Sequence, residues 1–138
     1  MTTRIIGVAS LIAAVTVAAC GKPSPTVDSL RDSFAQQVQA NRFVKDFQRN
    51  GDELLFAAPD SSGSLAKWRI HIDSSVIDAN RDETRPYKGT IKSSWYANGE
   101  AIIPKGRESN LPVELLDNGI SQDCWALWEK DTKRWGWE

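Results

Sequence analysis

The side chains able to carry out chemistry are few in this 138-residue chain: one histidine, His71, and two cysteines, Cys20 and Cys124. His71 and Asp73 fall on one face of a strand-like run, and Ser74 and Ser75 lie beside them in the sequence. An imidazole, a carboxylate and a hydroxyl brought together could abstract a proton or activate a nucleophile. Plain alternation along Lys67, Arg69, His71 and Asp73 equally produces a solvated strand face, and this is the reading carried forward. Zinc ligation would need His71 and Cys124 to meet carboxylates, and neither Cys-x-x-Cys nor His-Glu-x-x-His spacing occurs. The sequence contains no Gly-x-Ser-x-Gly elbow and no Gly-rich phosphate loop. The carboxylate pairs Asp52/Glu53 and Asp82/Glu83 are chain neighbours in turn-rich sequence, where side chains diverge into solvent. No catalytic residue, metal or cofactor is therefore expected.

Cys20 stands in a different setting. Arg4 is followed by an uncharged run from Ile5 to Ala19, and the next charge is Lys22. The apolar run is shorter than the ~20 residues a permanent membrane-crossing helix needs, and it ends in small residues, as a cleavable signal does. Val17-Ala18-Ala19-Cys20-Gly21 resembles the lipobox of bacterial lipoprotein precursors, and Lys22-Pro23-Ser24-Pro25-Thr26 supplies a polar, Pro-containing follow-on. That resemblance implies a signal peptide over residues 1–19 and a diacylglyceryl group on the Cys20 thiol. Further acylation, by a chain such as palmitate, falls on the new amino terminus. Residues 20–26 are then a lipidated tether and 27–138 a single domain. Several acyl chains, each adding ~0.8 kcal/mol per buried methylene, would hold the protein on membrane lipid without spanning it. Gly21 in place of an aspartate points, within that class, to the outer membrane facing the periplasm. With Cys20 consumed by lipid, Cys124 has no partner for an internal disulfide. In Asp123-Cys124-Trp125-Ala126-Leu127-Trp128 it reads as a small buried hydrophobe.

Composition agrees with one globular domain: 41% of residues are hydrophobic and 25% charged. A net charge of −1 creates no field that would gather nucleic acid, which is not expected as a partner. Tryptophan is abundant, with six residues, and four of them crowd the C-terminus as Trp125, Trp128, Trp135 and Trp137. Indole rings build cores and recognition surfaces alike, so these four form the candidate binding surface. Because strand side chains alternate, Trp125 and Leu127 face away from the side that carries Trp128, Trp135 and Trp137.

The elements that must position these residues follow from periodicity. Val27, Leu30, Phe34 and Val38 share one face of a helix capped by Thr26 or Asp28. Beyond Asn41 the period shortens to two. Asn50-Gly51 reads as a hairpin loop that pairs Arg49 with Asp52, Phe47 with Leu54 and Lys45 with Phe56, unless the helix runs on through Phe47. Trp68, Ile70 and Ile72 point inward from a strand over 67–72, and Ile91 and Trp95 share a face in Thr90–Ala97. A second hairpin turns at Asn98-Gly99 into Glu100–Ile103. Pro104–Asn118 is the least patterned stretch and the candidate mobile loop, with Val113–Leu116 able to form a short strand. Gln122–Lys130 and Lys133–Trp137 pair around Asp131-Thr132, setting Trp128 beside Trp135, Ala126 beside Trp137 and Glu129 beside Arg134. One helix followed by hairpins predicts an α+β fold, the helix packed on a curled antiparallel sheet of about five to seven strands. A small, partly closed barrel is the alternative. The closing pattern from Trp125 to Trp137 also resembles the last strands of cystatin-like and nuclear-transport-factor-2-like rolls, but the first half lacks the further helices of the second group, and neither a pocket nor a catalytic residue is carried over.

Three functions fit these features. A tethered, non-catalytic binding or assembly module would use the sheet face or the 104–118 loop to hold an envelope protein, peptidoglycan or a small apolar ligand. An inhibitor of an envelope-attacking enzyme such as lysozyme would present a protruding polar loop. A small hydrolase or isomerase would use His71 and Asp73. The first assumes least and is the expectation.

Overall fold

In the computed structural model the described residues are 22–60, 62–102, 113–116 and 119–138. Residues 1–19, expected as a signal peptide, Cys20, and most of Pro104–Asn118 lie outside the described residues. Helix α1 spans Val27–Ala40. Thr26 is its N-cap: the backbone is extended and the hydroxyl accepts the Ser29 N–H at 3.1 Å, which satisfies one of the donors a helix start leaves open. Leu30, Phe34 and Ala35 are buried, whereas Gln36, Gln37 and Gln39 are exposed, as the period requires. The helix does not continue to Phe47. Asn41 closes it with extended backbone, and its side-chain oxygen accepts the Phe43 N–H at 2.9 Å.

Among the described residues eight strands follow: β1 (Lys45–Asn50), β2 (Glu53–Pro59), β3 (Leu65–Ala79), β4 (Tyr87–Ala97), β5 (Glu100–Ile102), β6 (Val113–Leu116), β7 (Gly119–Glu129) and β8 (Arg134–Trp137). The sheet runs β1-β2-β3-β4-β7-β6, with β5 added on β4 and β8 on β7, and every pairing is antiparallel. It curls into a half-barrel around α1, the α+β architecture that the helix and hairpins predict. Of the stretch expected as a loop over 104–118, the described part Val113–Leu116 is strand β6.

Two hairpins keep the predicted register. Asn98-Gly99 is a two-residue loop with both residues at positive φ (49° and 83°), the backbone a type I′ turn demands, and Ala97 pairs with Glu100. The β7–β8 hairpin sets Ala126, Trp128 and Glu129 opposite Trp137, Trp135 and Arg134, although Lys130 and Lys133 belong to the turn rather than to the strands. The first hairpin moves its loop by one residue and its pairing register by two. Its loop is Gly51-Asp52, so Asn50 pairs with Glu53 and Arg49 with Leu54. Gly51 at φ 58° takes the first loop position, the glycine place of a type II′ turn. A register shift of two keeps side-chain parity, so Phe47 stays on the core side, packed against the buried cluster, and the bulge between Lys45 and Gln48 reverses parity only before it. Lys45 consequently meets Ala57 instead of Phe56.

Strand β3 is more than twice as long as the alternation over 67–72 suggests, and another bulge is the reason. Ile72 pairs with Ser93 and Ser74 with Lys92, leaving Asp73 as the extra residue. Inward positions before the bulge are Trp68, Ile70 and Ile72; after it they are Ser75, opposite Ile91, and Ile77, opposite Gly89. The parity reversal hides the second half of the strand from a period-two test. Between helix and sheet lies the core of Leu30, Phe34, Leu54, Phe56, Ile70, Ile72, Ile91, Cys124, Ala126 and Trp137. Burying each large aliphatic or aromatic side chain contributes roughly 1.5–3 kcal/mol.

Candidate functional site

His71 lies on the outer side of the sheet, opposite Ser94 and beside Glu53 on the neighbouring strand. Its Nδ1 is 3.0 Å from Glu53 Oε1 and its Nε2 is 3.9 Å from Asp73 Oδ1, so the imidazole bridges two carboxylates. The hydroxyls are engaged elsewhere. Ser94 Oγ donates to Asp73 Oδ2 at 2.6 Å, and Ser75, turned to the helix side by the bulge, accepts from Arg31 Nε at 3.1 Å. Arg69 completes the strip, with its guanidinium 3.9 Å above the Tyr96 ring and 3.4 Å from Glu53. The residues form a half-exposed network of charges on an open strand surface, and no hydroxyl is aligned on the imidazole. Among the described residues no group of three His, Cys, Asp or Glu side chains could hold a metal ion, and no buried side-chain polar atom lacks a partner.

The four C-terminal indoles separate. Trp137 is in the core, 8% exposed, and its Nε1 donates to Ser29 Oγ at 3.1 Å, tying β8 to the first turn of α1. Trp125 occupies the outer side, where the Arg85 guanidinium lies 5.7 Å from its ring. Trp128 and Trp135 stay together, half-buried, with ring centroids 5.1 Å apart in an edge-to-face arrangement, and Tyr87 joins Trp135 at 5.4 Å. The separation follows from alternation, since 125 and 128 have opposite parity along β7.

Chain outside the sheet covers this cluster in part. Trp135 Nε1 donates to the Pro23 carbonyl at 2.6 Å, the Ser24 hydroxyl is 3.4 Å from the Tyr87 hydroxyl, and the Lys22 ammonium sits 5.7 Å from the Trp128 ring centroid. The segment expected as a tether thus lies against the domain over Tyr87, Trp128 and Trp135. Composition could not reveal this, because Pro and Ser mark a linker whether or not an aromatic surface receives it. A second aromatic group, Phe56, Trp68 and Trp95, occupies the opposite end of β4, with centroid distances of 6.2 and 6.1 Å.

Cys124 is buried, and burial pushes its thiol up to about 12, with the Asp123 charge adding to the effect; its Sγ lies 3.6 Å from the Gly89 carbonyl. At pH 8 such a thiol is about one part in ten thousand thiolate, against roughly a quarter for a free cysteine. In a Cys20→Ala chain, iodoacetamide should therefore label native Cys124 at least about a thousandfold more slowly than the urea-unfolded chain. Comparable rates, followed by mass spectrometry, would show that the thiol is accessible.

On the outer side Lys88 Nζ meets Asp123 Oδ2 at 2.8 Å, and Thr90 Oγ1 donates to Asp123 Oδ1 at 2.9 Å. Burial alone would raise the Asp123 carboxyl, but the Lys88 and Thr90 hydrogen bonds and the Lys88 charge outweigh it and hold the pKa below the ordinary aspartate value. The unfolded chain then takes up this proton first as pH falls, so the pair's stabilisation is present above about pH 4 and lost on acidification through the lower folded value. An Asp123→Asn chain should lack that component. Its stability relative to wild type, measured by urea unfolding, should improve between pH 5 and pH 3, and parallel profiles would contradict the assignment.

A cleft between α1 and the sheet is lined by Leu30, Ser33, Phe34, Gln37, Ile91, Gln122 and Cys124. Its cavity volume is ≈ 10 Å³, room for about one water and far below the 300–1,000 Å³ of ordinary small-molecule pockets. Comparisons of the chain with protein-family models, with curated proteins and with solved structures found no match.

Proposed function

We propose that this chain is a lipid-anchored envelope protein, held on membrane lipid through acylated Cys20, whose domain binds a partner without catalysis. The anchor is carried by the lipobox-like Val17-Ala18-Ala19-Cys20-Gly21, and the course of Lys22–Ser24 says how it would meet the domain. The residues just after Cys20 pack on Tyr87, Trp128 and Trp135, so a lipid on that cysteine would be coupled directly to the folded domain. Non-catalytic action is supported by the His71 strip, where the neighbouring hydroxyls bond to Asp73 and Arg31 rather than to the imidazole. An envelope protein or peptidoglycan is the partner class, met by the open sheet surface, and Gly21 supports an outer-membrane, periplasm-facing position.

The test is intact mass with membrane fractionation of wild type and Cys20→Ala expressed in a bacterial host. The expected wild-type product is residues 20–138 plus acyl chains in the outer-membrane fraction, with the modification abolished in the variant. An unmodified soluble wild-type product would refute the anchor. Turnover of ester or peptide substrates that disappears in a folded His71→Ala chain would refute the non-catalytic reading.

A further inference from the structure

We infer that the Trp128/Trp135 end of the domain is a docking surface for lipid headgroups, holding the β7–β8 hairpin against an anionic bilayer. This rests on the reading of Cys20 as the lipid-bearing residue. Only Gly21 separates Cys20 from Lys22, and an extended chain covers at most ~7 Å over those two residue steps. That reach is comparable with one headgroup layer, ~5–8 Å deep. Lys22 is itself placed over Trp128, and Pro23 is hydrogen-bonded by Trp135. An acyl chain starting at Cys20 therefore leaves the Trp128/Trp135 pair no spacer by which to stand away from the interface.

The chemistry of this end fits that occupant. Trp128 and Trp135 are half-buried rings with an apolar body, the side-chain type that settles at the membrane–water boundary. Beyond them the hairpin turn exposes Lys130 and Lys133. Glu129 is occupied by Arg134 at 3.2 Å and Thr132 at 2.7 Å, and the other charges of the turn are Lys130, Asp131 and Lys133. A locally basic patch on a chain of net charge −1 suits anionic phosphate headgroups. The second aromatic group reaches β4 at Trp95, eight residues of strand from Tyr87, ~26 Å, and on this geometry stays clear of the bilayer.

The test uses acylated full-chain product reconstituted in phosphatidylethanolamine/phosphatidylglycerol vesicles carrying brominated acyl chains, which quench nearby tryptophan fluorescence. Wild type should be quenched. The pair Trp128→Phe and Trp135→Phe, made together, should lose about half of the quenching or more, whereas Trp68→Phe with Trp95→Phe should retain it. Lys130→Glu with Lys133→Glu changes exposed turn residues and leaves every core contact in place. It should also reduce quenching, and more so at low salt, where surface charges are least screened. Intact mass is read on each sample. Acylated protein whose quenching is absent, or is equally lost in the two tryptophan pairs, would overturn the docking surface while leaving the lipid anchor standing. A wild-type mass without acyl chains would overturn both.

Discussion

Replacing Trp137 by alanine should lower the stability of the domain by about 3–5 kcal/mol, a loss comparable with much of the 5–15 kcal/mol that holds a domain of this size folded. Trp137 joins three parts of the structure. Its ring packs in the core against α1 and lies over Gly89 of β4, its Nε1 bonds to Ser29 in the first helical turn, and its strand partner is the fully buried Ala126. Truncation opens a cavity between helix and sheet and removes a hydrogen bond as well. Urea unfolding followed by circular dichroism would show the midpoint moving sharply down. Trp125→Ala, on the outer side and partly exposed, should shift it much less. Equal shifts for the two indoles would mean that the helix is not pinned through β8.

Gly89→Val should be nearly as damaging, for the opposite reason. A Cβ at position 89 would stand 2.8 Å from Leu30 Cδ1 and 2.8 Å from Trp137 Cζ3, inside any real carbon–carbon contact. Neither neighbour has room to retreat: Leu30 is 1% exposed, and the indole is a rigid ring held by Ser29. Alanine should cost about 1–3 kcal/mol and valine more, as overpacked cores do. The two residues are coupled through one space, so Leu30→Val combined with Gly89→Ala should destabilise by less than the sum of the single changes. Strict additivity in that cycle would place the clash elsewhere.

These two sites show how unevenly the structure was legible in the sequence. The importance of Leu30 follows from the helical period, and the pairing of Trp137 with Ala126 follows from counting outward from the β7–β8 turn. Nothing in the sequence marks Gly89 as the point where helix and indole close on β4. A glycine at a strand start reads like a turn residue, and the contact joins residues far apart along the chain. The His71 strip was likewise legible only in part. Alternation places Arg69, His71 and Asp73 on one face, yet Glu53 as the partner of His71, and Ser94 as the donor to Asp73, depend on cross-strand register.

By itself the sequence determined the helix with a cap at Thr26 or Asp28, of which the structure shows Thr26, the two-residue Asn98-Gly99 hairpin, the β7–β8 register and the α+β class. Each is set by short-range physics: apolar period, capping chemistry and the positive φ that Asn-Gly tolerates. The tertiary structure decided what long-range packing controls. Bulges at Asp73 and between Lys45 and Gln48 reverse side-chain parity without any local signal, because an extra residue is tolerated only where neighbouring strands and the core repay its lost pairing. It also decided the course of Lys22–Ser24 over Tyr87, Trp128 and Trp135. A Pro- and Ser-containing segment carries no record of the surface that will receive it, and the indoles on that surface come more than a hundred residues later.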